Sequence, residues 1–149
     1  MKQIDFQEIG GVKVGHAQNL GSATGCTAII CEQGAVAGGD VRGGAPSTRE
    51  TDLLNPLNMI RKIHAVVLCG GSAFGLDAAA GVMQYLEEKK IGFDVGVTRV
   101  PIVCAAALFD LSIGDHRVRP DKKMGYTACL DAGTRSCRQG NVGAGTGAT

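Results

Sequence analysis

Ile63-His-Ala-Val-Val-Leu-Cys69, followed at once by Gly70-Gly71-Ser72 and an amphipathic run to Lys90, is the stretch on which the fold turns. A near-continuous apolar run bounded by glycine reads as a strand covered on both faces. Beyond the glycines, Leu76, Ala79, Ala80, Met83 and Leu86 fall on one face at helical spacing, which predicts a helix over about 73–90. Ser72 suits its N-cap, Lys89 and Lys90 complement the dipole at its far end, and Gly92 supplies a stop. Strand, tight glycine junction and covering helix together form the repeating unit of a layered protein.

Working outward, Thr27-Ala-Ile-Ile-Cys31 is a second apolar strand, and Glu32-Gln33-Gly34 has the length of a hairpin turn leading into Ala35-Val36-Ala37. A polar loop runs from Asp40 to Asp52, and Asn55-Pro56 punctuates the stretch after it. Pro101 to Leu111 reads as a strand or buried segment, with Pro101 at its start where a missing donor is tolerable. A second helix is expected after Pro120-Asp121, turning Met124, Ala128 and Ala132 inward and ending at Gly133. Strands and helices alternate without internal repeats. The fold class is α/β or α+β, in layers.

The chain of 149 residues is one domain in size, with 44% hydrophobic and 19% charged residues, a globular balance. With 23 glycines, no tryptophan and 4% aromatics, its core must be built from small aliphatic side chains at close backbone separation. A net charge of +1 gives no footing for nucleic acid or an anionic membrane surface. Met1 to Gly10 has no apolar signal core, and no run approaches the roughly 18 residues that span a bilayer. The six cysteines form no CxxC pair and sit mostly in apolar segments, as reduced thiols of a cytoplasmic protein would. His16, His64 and His116 are far apart and share no ligand spacing with a cysteine, so no metal site and no cofactor are expected. His64, on an apolar strand, reads as a satisfied core residue.

The junction Cys69 to Ser72 is the sharpest chemical signal. Free N–H groups at a helix start can hold an anion or a developing oxyanion; glycines there can equally serve tight strand–helix packing. The order Gly70-Gly71-Ser72-Ala73-Phe74-Gly75 is not a dinucleotide fingerprint. Cys69 sits where a nucleophile elbow would place one, yet Leu68 precedes it and no His or acid is placed to serve it, which favours a buried structural thiol. Asp40, Arg42, Arg49, Glu50 and Asp52 read as an ion-pair cluster beside the site. The glycine-dense end, Gly140 to Thr149, reads as a loop threading close to other backbone, interrupted before the machinery it serves.

Taken together, Gly11-Val-Lys-Val-Gly-His16, Gly39-Asp-Val-Arg-Gly-Gly-Ala-Pro-Ser-Thr-Arg-Glu-Thr-Asp52 and Val67-Leu-Cys-Gly-Gly-Ser-Ala-Phe-Gly-Leu-Asp77 resemble the L-aminopeptidase/D-esterase family. Val100-Pro-Ile-Val103, Phe109-Asp110, Arg119-Pro-Asp121 and Asn141-Val-Gly-Ala-Gly-Thr-Gly147 extend the resemblance over nearly the whole chain. That family of self-processing peptidases also includes nylon-oligomer hydrolases and β-peptidyl aminopeptidases. The resemblance implies an αββα sandwich of the N-terminal-nucleophile type, incomplete in this chain. It also implies a precursor that cleaves its own backbone before a Ser or Thr, which then attacks amide or ester bonds with its own α-amine as base. The nucleophile, an oxyanion-associated asparagine and a lysine would lie beyond Thr149.

The resemblance further implies that residues 1–149 are the N-terminal portion of a single self-processing hydrolase domain, with Gly70, Gly71 and Ser72 lining the substrate cleft and Phe109 walling it. Phe109 stands where many relatives carry a tyrosine, and Ala107 where amide-cleaving members place a glutamate for the substrate ammonium, which puts aminopeptidase specificity in question. The implied partners are a complementary C-terminal segment, a small peptide or amide substrate and further copies of the chain. Two rivals stay open: a non-catalytic remnant that acts only in assembly or binding, and a cysteine hydrolase using Cys69.

Overall fold

The computed structural model describes residues 4, 6–134 and 137–149. Seven strands and two α-helices run in the order β1 (Lys13–Asn19), β2 (Thr24–Ala35), β3 (Thr48–Arg49), β4 (Ile63–Cys69), α1 (Ala78–Glu88), β5 (Phe93–Asp94), β6 (Arg99–Val100), β7 (Val103–Ala107) and α2 (Lys122–Ala132). Five of the strands form one sheet in the order β1-β2-β4-β7-β3, and β5 and β6 make a separate ribbon. β4 and β7 are parallel and every other neighbouring pair in the main sheet is antiparallel. The parallel pair needs a crossover, and α1 supplies it.

Both helices lie on one face of the sheet. Cys26, Ala28 and Ile30 of β2, Ala65, Val67 and Cys69 of β4, and Val103 and Ala105 of β7 point into a single core with Ala79, Val82, Leu86, Ala128, Cys129 and Ala132. That alternation is the pleat at work: every second side chain faces the helices. The helices meet through glycine. A Cβ on Gly81 would strike the Lys122 carbonyl, and one on Gly125 would strike the Ala78 carbonyl. Gly81 and Gly125 thus allow a thin helix–helix interface set by backbone contact.

Three elements differ from the sequence expectation. The Glu32-Gln33-Gly34 turn does not close a hairpin: β2 runs on to Ala35, which pairs with Ile63, while Ile30 already pairs with Ala65. The two polar residues and Gly34, at φ +71°, are taken up as an irregularity in one long strand. β2 instead pairs back onto β1 through the 20–23 turn, where Ala23 N–H donates to the Leu20 carbonyl. The first helix is also shorter than 73–90. Ser72–Asp77 is a 3-10 segment and the α-helix occupies Ala78–Glu88 with Asp77 as N-cap residue, so Ser72 caps nothing. Its buried stripe is Ala78, Ala79, Val82, Tyr85 and Leu86, with Leu76 and Met83 packed at the margin. The third difference lies in β4, which is not covered on both faces: Ala65 and Val67 are fully buried, but Leu68 retains 40% exposure.

The second helix follows its reading. Asp121 accepts from Met124 N–H at 2.8 Å and Gly133 ends the helix. His64 is buried as expected, its Nδ1 accepting from Ile102 N–H at 3.2 Å, but on the sheet face away from the helix-side core. On the face away from the helices, the Gly143–Thr146 turn packs over β1 and β2, with Ala144 N–H donating to Thr27 Oγ1 and Gly143 N–H to Gln18 Oε1. The glycine-dense end does thread close to other backbone, as its composition suggested.

Candidate active site

The C-terminal ends of β4 and β7 lie side by side, with Cys69 opposite Ala107. Beyond them the two chains stay laced together: Leu108 N–H donates to the Cys69 carbonyl at 2.8 Å and Ser72 N–H to the Leu108 carbonyl at 2.9 Å. Two left-handed residues in succession, Gly71 at φ +80° and Ser72 at φ +55°, make the sharp turn between them. On the other side of the same segment, Ala107 N–H donates to the carbonyl of Ser47, itself at φ +47°, whose hydroxyl is buried without a partner among the described residues. Non-glycine residues held in this region cost about 1–3 kcal/mol each. Two such serines gripping one short segment mark Ala107-Leu108-Phe109 as a place the fold holds at some expense.

Asp110 fixes the junction from beneath. Its carboxylate, only 2% exposed, accepts from Gly71 N–H at 2.6 Å and from Thr24 Oγ1 at 2.7 Å. Gly70 lies directly on it, so that a Cβ there would overlap Asp110 Oδ2, and Gly147 closes over the aspartate from the C-terminal turn. One carboxylate thereby ties β2, the Gly-Gly-Ser turn and the last glycine-rich segment into a unit. A buried polar group is tolerable only when hydrogen-bonded in this way. Sequence reasoning passed over Asp110 as a site residue, because its partners lie 86 and 39 positions away.

The oxyanion reading of the Gly70–Ser72 amides is corrected by the same bonds. Gly70 N–H goes to the Gly25 carbonyl, Gly71 N–H to Asp110 and Ser72 N–H to Leu108, so none of the three donors is free. Cys69 is also no nucleophile. It is 1% exposed, and burial together with the nearby Asp110 charge pushes its thiol up to about 12. Cys26 and Cys129 are likewise raised to about 12 by burial, and all six cysteines are free. The thiolate is the reactive form, so these buried thiols are inert.

Of the sequence-read cleft residues, Gly70 and Gly71 are buried, Ser72 and Ala107 are half-buried, and Phe109 is 66% exposed. Ala107 packs partly against the helix-side core. Phe109 follows Leu108, whose carbonyl accepts from Ser72 N–H, so Ser72 and residues 107–109 meet along one rim at the ends of β4 and β7. The charged loop does not form the expected cluster. Arg42 pairs with Asp40 at the surface, Arg49 donates to Met83 Sδ, and Glu50 and Asp52 take no ion-pair partner among the described residues. Asp40, Arg42, Glu50 and Asp52 are exposed to solvent, where pairing gains little. Surface concavities of about 570 and 580 Å³ lie elsewhere, one beside His64 and Arg99 and one beside Asp77 and Tyr126. Among the described residues no group of three or more His, Cys, Asp or Glu is placed to share a metal ion. No helix among them is long and apolar enough to cross a membrane.

A mixed sheet with both helices on one face, ending in a strained, carboxylate-braced glycine turn, is a layered α+β architecture. The comparisons make that assignment specific. The model of peptidase family S58 matches residues 5–149, and the chain belongs to that family. It is 46% identical over 146 residues to an uncharacterised aminopeptidase of Mycobacterium tuberculosis, covering 93% of this chain and 42% of that protein. It is 34% identical over 149 residues to a 6-aminohexanoate-oligomer endohydrolase of Agromyces sp., covering 100% of this chain and 39% of that one. The chain therefore spans less than half the length of these relatives.

In structure it is similar to the L-aminopeptidase D-Ala-esterase/amidase of Ochrobactrum anthropi, described as a variant of the Ntn hydrolase fold. The TM-score is 0.74 at 17% identity, over 95% of this chain and 43% of that one. A protein of Pyrococcus horikoshii gives 0.73 at 23% identity, over 96% of this chain and 44% of its own. The fold is thus of the Ntn-hydrolase type, represented here by its N-terminal portion.

Proposed function

We propose that residues 1–149 are the N-terminal portion of a single self-processing hydrolase domain that cleaves amide bonds of small peptides or related oligoamides. The nucleophile is a Ser or Thr supplied from beyond Thr149 and exposed by autocleavage. Its new α-amine then serves as general base, which removes the need for a histidine or a thiol. Gly70, Gly71, Ser72, Ala107 and Phe109 line the substrate cleft, and the enzyme works in the cytoplasm as a homo-oligomer of paired segments.

The observation that carries this reading is the strained, braced rim at the ends of β4 and β7, in a chain of family S58 whose local candidate nucleophile, Cys69, is chemically silent. The half-open sheet face at Leu68 also supports it, since a complementary segment would find an apolar surface there. The committed amides of Gly70 to Ser72 leave the oxyanion donor to come from the complementary segment.

The test is the intact mass of the full-length protein after expression, followed by amide hydrolysis. Two chains, one beginning with Ser or Thr, are expected, and replacing that residue by Ala should abolish both cleavage and turnover. A single uncut chain that still hydrolyses amides would sink the self-processing mechanism.

A further inference from the structure

Arg119 lies where the Gly71–Ser72 turn meets the start of α2. Its guanidinium carbon lies over the ring of Phe74, 3.9 Å from the centroid, while its stem presses against Gly71, where an added Cβ would come within 3.2 Å of Arg119 Cβ. Phe74 is 61% exposed, so the stack sits at the surface on the same turn that defines the rim. Among the described residues Arg119 has no ion-pair partner. The acids around it are engaged elsewhere: Asp110 holds Gly71 N–H and Thr24, Asp115 holds Arg117, Asp121 caps α2 at Met124 N–H, and Asp77 accepts from Lys122 N–H. Stacking on an aromatic face uses the plane of a guanidinium and leaves its edge donors free. A planar fork held in one orientation is shaped for bidentate binding of a carboxylate.

We propose that Arg119 is a specificity-determining residue that receives a substrate carboxylate at the rim, so that the enzyme prefers amide substrates carrying an anionic end. Phe74 is its platform and holds the fork in place before substrate arrives. The inference rests on the rim being the substrate cleft, as proposed above. It adds the chemical class of group the cleft recognises.

The experiment compares N-acetyl-alanyl-alanine with its C-terminal carboxamide, binding each to the full-length protein by calorimetry and assaying hydrolysis of each. The free acid should bind about tenfold or more tightly than the carboxamide, the advantage of a charge-assisted hydrogen-bonded pair. Arg119→Gln should erase that difference by weakening the acid alone. Arg119→Lys, which keeps the charge without the fork, should restore part of it, and Phe74→Leu should reduce it several-fold by releasing the guanidinium.

Equal binding of acid and carboxamide, a preference that survives Arg119→Gln, or no binding of either overturns the inference. Hydrolysis of both compounds without an acid preference does so while leaving the amide-hydrolase reading intact. Acid binding through Arg119 with no hydrolysis of either does the reverse.

Discussion

Apart from the buried His64, the two faces of β4 are made of the same kind of residue and have different fates. Ala65, Val67 and Cys69 look toward α1 and α2 and are sealed, while Val66 and Leu68, one step along the pleat, are half-buried or 40% exposed. Apolar character by itself therefore says only that a face is fit to be covered. What covers it is decided by elements far away in sequence, and among the described residues the Gly143–Thr146 turn covers the second face near β1 and β2. The covered face carries the stability of the fold. The open end of the other face borders the rim that carries the proposed chemistry.

The largest effect expected from breaking this contrast lies on the covered side. Leu86→Ala removes a fully buried side chain from the helix–sheet core and should cost about 2–5 kcal/mol, read as a lowered denaturation midpoint. A cost below about 1 kcal/mol would mean that the helices are not the true cover of the sheet.

Asp110→Ala should come next. It orphans Gly71 N–H and the Thr24 hydroxyl, a loss of about 1–3 kcal/mol for each buried group left unpaired. It should also lower amide turnover in the full-length protein more than it raises KM, because the rim turn loses its brace. A variant as active and as stable as the parent would show that the carboxylate is incidental.

Gly125→Ala should cost about 1–3 kcal/mol, since its methyl group must push the Ala78 carbonyl of α1 away. If it instead raises the melting temperature, as alanine does at an unconstrained helix position, the helices do not meet through backbone contact.

Acidification probes the face away from the helices. Burial lowers the imidazoles of both His16 and His64 from their ordinary value of 6.5, with Lys62 and Arg99 adding to the effect at His64. Asp131 opposes it at His16. The unfolded chain then binds protons that the folded chain refuses, so stability should fall as pH drops below about 6.5 and recover above it. Denaturation midpoints that stay flat between pH 7 and pH 5 would contradict this burial.

The smallest effect belongs to Leu68→Ala. In the 149-residue chain it should cost about 1 kcal/mol or less, because the side chain is already partly in water. In the full-length protein the cost should rise toward the 2–5 kcal/mol of a sealed leucine if a complementary segment closes this face. Identical values in the two proteins would place the missing cover elsewhere.

Much of this was legible in the residues. The β4 strand, the glycine junction after it, the second helix with its Asp121 start and Gly133 end, and the inert Cys69 all follow from local patterns, because hydrophobic periodicity, capping and burial of apolar runs act over a few positions. The family could be read from short segments in order along the chain. Tertiary structure decided the rest.

Whether Glu32-Gln33-Gly34 turned back or ran on depended on β4 offering Ile63 to Ala35, a pairing no local propensity encodes. Whether the Gly70–Ser72 amides could hold an anion depended on Gly25, Asp110 and Leu108 taking them first. The Asp110 brace and the Arg119–Phe74 stack join residues 39, 86 and 45 positions apart. Composition and spacing fix what each residue can do; only closure of the chain brings its partner within the few ångströms over which hydrogen bonds and charges act.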